Sequence, residues 1–347
     1  MDSIRLTVGV PTYNRGRLLR VALDSVLSQM DDRIRGQVEV LISDNASTDL
    51  TREVVNEYIA RYPDVVTYHY NSHNLGYSRN VDAVICQARG TFVLILSDDD
   101  GLESNALATL WDILGQHGDL GVVFLSETPY DPELKAPLNG QLIETNRKGG
   151  QLYRPGIEYI EQTHIFPPAL VSGYVVRREA WIKANPAKYY NTLIVHSLTV
   201  LRILVTQEQY SAYTSHAPCI RYRTEGKGAT CAEDELFPFA FHLDHLIGCK
   251  SVRAECSAKI YRYLYQQAMR SIAYHIMDQK VTGGRINSLL LRKRLKELAD
   301  KEDPLLWLNL VLMCMPAWMI LIPFRIAVRI RDMMRQRARC VLLIGVW

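Results

Sequence analysis

The first half of the sequence alternates between two periodicities, and that alternation limits the architectures open to the chain. Short β-branched runs at residues 4–10 (IRLTVGV), 38–43 (VEVLIS), 65–70 (VVTYHY), 91–97 (TFVLILS) and 120–125 (LGVVFL) read as strands. The stretches between them read as amphipathic helices: over residues 17–30, Leu18, Leu19, Ala22, Leu23, Val26 and Leu27 recur at helical spacing. A β-α-β-α order predicts an α/β fold, a mostly parallel sheet flanked by helices on both faces. In such sheets ligands bind beyond the carboxyl ends of the strands. Polar clusters fall at those ends: Pro11-Thr12-Tyr13-Asn14 after the first run, Asp44-Asn45 after the second, Asp98-Asp99-Asp100 after the fourth.

The third cluster poses a chemical question. In LILSDDDGL (94–102) a buried-looking strand runs into three carboxylates. Adjacent like charges raise one another's pKa, so a chain that places them together supplies a cation or a hydrogen-bonding ligand.

Beyond residue 125 the pattern changes. Residues 126–168 are rich in Pro and Gly and read as an irregular excursion. A strand-like ALVSGYVVRR (169–178) follows, then helical stretches near 179–184 and 193–206, then IRYRTEGKGAT (220–230), whose glycines mark a loop expected to close over a bound ligand. Residues 235–301 read as helical. Leu305 to Phe324 carries no charge and as a helix would be about 30 Å long, enough to cross a bilayer core, but Pro316 interrupts it. Basic residues flank it on both sides, which favours a kinked or interfacial segment. These shifts divide the chain into 1–230, a helical extension 231–303, and an apolar and basic membrane-associating segment 304–347.

Charge sharpens the division. The net charge is +3, yet residues 304–347 hold six Arg against one Asp, leaving 34 basic and 36 acidic residues in the body. A nearly neutral body argues against nucleic acid as a partner, and the arginines at 325, 329, 331, 335, 337 and 339 fit an anionic lipid surface. Seven Cys without a CxxC pair read as reduced thiols, and MDSIRLTVGVPTYNRG has too short an apolar run for a signal peptide. The expected location is the cytoplasmic face of the plasma membrane, peripheral or monotopic.

Four strings in order, VPTYNR (10–15), SDNASTD (43–49), NLGYSRN (74–80) and LILSDDDGLESNAL (94–107), closely resemble the inverting family 2 glycosyltransferases with a GT-A fold. The resemblance covers about residues 4–230, and PPALVSGYVVRR (167–178) is similar to an abequosyltransferase-like branch active in O-antigen assembly. It implies a nucleotide-sugar donor. Pro11, Thr12, Tyr13, Asp44, Asn45, Arg79 and Asp98 are then the expected donor-binding residues: Tyr13 and the backbone at Thr12 line the base, Asp44 accepts from the base or ribose, and Arg79 suits a phosphate through its bidentate guanidinium.

The acidic cluster is expected to hold Mg2+ or Mn2+, because hard carboxylate oxygens suit hard cations that bridge substrate phosphates. The family's Asp-any-Asp tripeptide registers as Ser97-Asp98-Asp99 or as Asp98-Asp99-Asp100, and GLESNAL favours the first. Asp99 is the expected principal ligand, with Asp98 at the ribose or metal and Asp100 third.

An inverting transferase also needs a base for the acceptor hydroxyl. His196, in VHSLTVLRIL, stands where the family carries acids upstream of the strand Ile220-Arg221-Tyr222-Arg223. Glu233 and Asp234 are its rivals. A polyprenyl-diphosphate-linked saccharide is the expected acceptor; the alternative is a catalytically silent nucleotide-sugar binder or membrane scaffold. His242, His245 and Cys249, at i, i+3 and i+7, leave a zinc site open as a separate reading.

Overall fold

The computed structural model describes residues 4–138, 150–224, 237–282, 286–301, 303–315 and 319. The chain forms two compact units, Met1–Ala229 with Ser251–Tyr261, and Thr230–Lys250 with Arg262–Trp347.

The first unit begins β1 (Leu6–Thr12), α1 (Gly16–Leu27), β2 (Val38–Asp44), α2 (Thr51–Arg61), β3 (Val66–Tyr70), α3 (Tyr77–Gln87), β4 (Phe92–Ile95). It continues through β5 (Gly101–Leu102), α4 (Ala106–Gln116), β6 (Leu120–Tyr130), β7 (Gln151–Tyr153), α5 (Glu158–Thr163), β8 (Tyr174–Arg177), α6 (Arg178–Ala184), α7 (Val195–Thr206) and β9 (Ser211–Arg223). The sheet order is β3-β2-β1-β4-β8-β6-β9-β5, with β7 on β9. β2 is buried along its whole length, as a strand covered on both faces must be. β3, at the edge, is mostly exposed after its first residue. α1 buries Leu19, Ala22, Leu23 and Val26. On α3, Val81, Val84 and Ile85 are buried. α3 approaches β1 so closely that a Cβ on Gly9 would fall 2.2 Å from Val84 Cγ1.

The sheet is less parallel than the alternation predicts. β1, β2, β3 and β4 are parallel, but β8 runs antiparallel to both β4 and β6. Periodicity carries no information about strand direction, so the sequence could not separate these cases. The 126–168 excursion also holds more structure than expected, since β6 runs on to Tyr130 and β7 and α5 follow. β9 is 13 residues long, although only Ile220–Arg223 reads as a strand. His216 and Pro218 interrupt its alternation, and its register against β6 shifts there.

In the chain's later part come α8 (Phe237–Ser251), α9 (Ala258–Thr282), α10 (Ser288–Leu298) and α11 (Pro304–Cys314). Among the described residues no helix is long and apolar enough to cross a membrane. α11 ends ahead of Pro316; most of 316–324 and the arginine-rich residues lie outside the described residues. The zinc reading is not met. The His242 ring lies 6.3 Å from His245 and 5.2 Å from His275, Ser271 Oγ sits 2.8 Å from His242 Nδ1, and among the described residues no three His, Cys, Asp or Glu are grouped to hold a metal.

Candidate active site

Three strand ends meet as the sequence predicts. Thr12 is the register partner of Asp44, and Leu96 N donates to Gly9 O across 2.9 Å, carrying the chain beyond β4 alongside β1. Asp98 therefore lands beside Thr12, whose hydroxyl donates to Asp98 Oδ2 at 2.7 Å. Arg15 Nη1 then bridges the acids, 3.0 Å from Asp98 Oδ1 and 2.9 Å from Asp99 Oδ2. Ser97 Oγ donates to the other Asp99 oxygen. Two carboxylates thus converge on one cationic centre.

Asp100 does not join them. Its carboxylate turns inward, accepting from Ser172 Oγ at 2.6 Å and Arg223 N at 3.1 Å. The expected third metal ligand is committed to holding the 172 segment and the end of β9. Asp98 and Asp99 face one point, taken here by Arg15 Nη1, and Mg2+ is commonly held by one or two carboxylates with the remaining positions left to phosphate and water.

The expected donor side is built from cross-links between loops. Asp44 accepts from Tyr68 OH at 2.7 Å and Ser47 N at 2.8 Å. Asn45 N donates to Thr12 O, and its side chain contacts Asn74 Oδ1 and Leu75 N at 2.7 and 2.8 Å. Pro11 lies in β1 next to Thr12, while the Tyr13 ring is 40% exposed. Arg79 is exposed and its guanidinium lies 4.4 Å from the Tyr190 ring centre.

Electrostatics follow burial. Desolvation pushes Asp98 up to about 6, opposed by Arg15 and assisted by Asp99. Desolvation and Asp99 push Asp100 up to about 7. Burial alone would lower the Arg15 pKa, but Asp98 and Asp99 outweigh it and raise it. Glu127 on β6 is only 3% exposed, its Oε1 has no hydrogen-bond partner among the described residues, and desolvation with Asp100 pushes it up to about 8. It packs where a Cβ on Gly173 would fall, 2.6 Å from Oε1.

His196 lies in the first turn of α7, 1% exposed. Its Nε2 is 2.7 Å from Ala169 O. A carbonyl can only accept, so Nε2 carries the proton and Nδ1 a lone pair. Desolvation lowers its pKa to about 4, so the ring is neutral at pH 7. Ser197 Oγ and Tyr174 OH both donate to Pro168 O, which ties the Pro-Pro-Ala loop to the same helix turn. Glu233 and Asp234 lie outside the described residues.

Residues 7–169 match the sequence profile of Glycosyl transferase family 2. That stretch, just under half of the chain, carries the family's sequence pattern. The chain is 29% identical over 206 residues to the abequosyltransferase of Salmonella typhimurium, covering 57% of this chain and 60% of that protein. It is 38% identical over 107 residues to the GalNAc(5)-diNAcBac-PP-undecaprenol beta-1,3-glucosyltransferase of Campylobacter jejuni, covering 30% of this chain and 33% of that protein. The chain thus spans less than two thirds of either relative. In three dimensions it is similar to S. aureus TarS 1–349 in complex with UDP-GlcNAc, with a TM-score of 0.67 at 15% identity over 93% of this chain and 92% of the other. It is also similar to the Pyrobaculum calidifontis mannosyltransferase in complex with GDP-Man and Mn2+, with a TM-score of 0.56 at 19% identity over 94% and 87%. These similarities identify the first unit's fold as the GT-A type of the family.

Arg15 and Tyr77 lie inside the strings VPTYNR and NLGYSRN, and the sequence alone assigns neither a role. The signal for Arg15 was present: a cation three positions past the end of β1 has to fall near acids three positions past the end of β4. Glu127 left no such signal.

Proposed function

We propose that the chain transfers a sugar from a nucleotide-diphosphate donor to an acceptor hydroxyl, with inversion. The observation that carries this reading is the convergence of Thr12, Arg15, Asp98 and Asp99 at the ends of β1 and β4, with Asp44 at the end of β2. Asp44, Asn45 and Tyr13 hold the nucleoside, Arg79 and Arg15 face phosphate, and Asp98 reaches the ribose. Asp99 with Asp98 would hold Mg2+ or Mn2+, which when bound neutralises charge growing on the leaving diphosphate. The Pyrobaculum calidifontis relative's Mn2+ supports that assignment. His196 serves as the base that relieves the acceptor of its proton, neutral and ready at pH 7.

The acceptor is a lipid-linked saccharide in bacterial surface polysaccharide assembly, met at the cytoplasmic membrane face. Support comes from the undecaprenol-linked acceptor named for the Campylobacter jejuni relative. It comes also from α11, which leaves Trp307 61%, Leu308 46% and Val311 53% exposed, beside a groove lined by Arg292 and Lys296 of α10. An apolar face edged by cations fits a membrane interface with anionic headgroups. Calorimetry with Mn2+ across UDP-, GDP-, CDP- and dTDP-sugars tests the donor reading. One nucleotide class binding well above the others is the expected result, and no binding to any of them refutes it.

A further inference from the structure

His196 is sealed off from an incoming acceptor. It is 1% exposed, its Nε2–H is spent on Ala169 O, and Tyr174 closes one side of the ring at 5.7 Å between centroids. Among the described residues its Nδ1 has one hydrogen-bonding neighbour with a proton to exchange, the Tyr77 hydroxyl, 3.4 Å away. Such contacts are often long without substrate and tighten when it binds. Tyr77 itself is 41% exposed, opens the first turn of α3, and lies near enough to the Asp99 and Asp98 carboxylates to feel their charge. The next residue fixes it in place: Ser78 Oγ donates to Thr192 O at 2.6 Å, fastening the start of α3 to the approach to α7.

Resting on the transfer reading above, we propose that Tyr77 is the group that touches the acceptor, and that His196 acts through it. The acceptor O–H gives its proton to Tyr77 Oη while the Tyr77 proton passes to His196 Nδ1. The acceptor oxygen bonds to the sugar's anomeric carbon, and the bond from that carbon to the diphosphate breaks with its electron pair on the leaving oxygen. Proton count is conserved: the acceptor loses one, His196 gains one, and Tyr77 ends as it began. The imidazolium then returns its proton to solvent by the same hydroxyl. A tyrosine at this position explains how a base can be both fully buried and useful.

The test uses the full chain with Mn2+, reading cleavage of the best-bound nucleotide sugar with methyl glycosides or water as acceptor. Tyr77→Phe keeps the ring and removes only the hydroxyl, so its melting temperature and donor Kd are expected to stay near wild type. Turnover is expected to fall by about 100-fold, the size of a lost proton-transfer group. Tyr77→Phe combined with His196→Ala is expected to cost no more than His196→Ala alone, because both remove one relay. The wild type is expected to show a curved proton inventory in mixed H2O and D2O that becomes linear or vanishes in Tyr77→Phe. Turnover in Tyr77→Phe within about twofold of wild type, or single effects that multiply in the double variant, overturns the relay while leaving sugar transfer intact. No donor cleavage by the wild-type chain overturns the transfer reading and the relay together.

Discussion

Arg15 and Asp99 are joined by a 2.9 Å ion pair that closes over the end of β4, with Asp98 sharing the same guanidinium nitrogen at 3.0 Å. The pair turns both carboxylates toward one cationic group rather than into solvent. With a divalent ion and donor diphosphate, EDTA is expected to abolish transfer. Asp99→Asn is expected to lower turnover on the order of 100-fold, as loss of a principal electrostatic group does. Full turnover in EDTA would refute the metal role.

His196→Ala is expected to depress kcat strongly with donor affinity unchanged. The pH profile carries the sharper test. An ordinary imidazole titrates near 6.5, but burial lowers His196 to about 4. The neutral ring is the active form, so a limb near pH 4 is expected to belong to His196, below the one that Asp98 sets near 6. A limb near 4 that persists in His196→Ala would assign the base elsewhere.

Glu127 offers a stability measurement independent of any ligand. Burial first, then Asp100, raises it from 4.5 to about 8 in the folded chain. Between those values the folded state holds a proton that the unfolded state has released. Its contribution to stability is therefore full below pH 4.5 and is lost as pH rises to about 8. Glu127→Gln keeps the neutral shape and is expected to flatten the decline of urea midpoint between pH 5 and 8. Parallel curves for the two proteins would show that Glu127 does not titrate there.

Ending the chain at Asp303 removes α11 and the arginines beyond it. Binding to vesicles rich in anionic lipid is expected to fall at least tenfold, roughly 1.4 kcal/mol, with donor affinity retained. Trp307→Glu with Val311→Glu in the full chain is expected to give part of the same loss. If the shortened chain still sediments with the vesicles, the contact lies in another part of the molecule.

The three strand ends were legible because a buried parallel strand writes a continuous apolar run whose stopping point is plain: Thr12, Asp44 and Asp98 each follow one. That Asp99 would meet a cation could be read from chemistry, since adjacent carboxylates need one, and here Arg15 pairs with it. Asp100 could not be told apart from its neighbours, because its inward turn depends on Ser172 and Arg223, 72 and 123 residues away. His196 was visible as a residue type but its burial was not, being set by Ala169, Tyr174 and Tyr77 from separate segments. Glu127 was invisible for the same reason. The direction of β8 left no trace, as a four-residue apolar run reads alike both ways.

That late, reversed strand has a consequence for synthesis. β4 pairs with β1 on one side and β8 on the other, with Ile95 opposite Tyr174. Until the ribosome has delivered residue 174, one margin of β4 is a row of unpaired amides and carbonyls on an apolar ribbon, the kind of edge that recruits other chains. α4, β6 and the stretch to β8 are all translated in that interval. A nascent chain stalled or cleaved there would carry nearly the whole nucleotide side and be adhesive, so recombinant fragments ending between residues 103 and 173 belong in inclusion bodies.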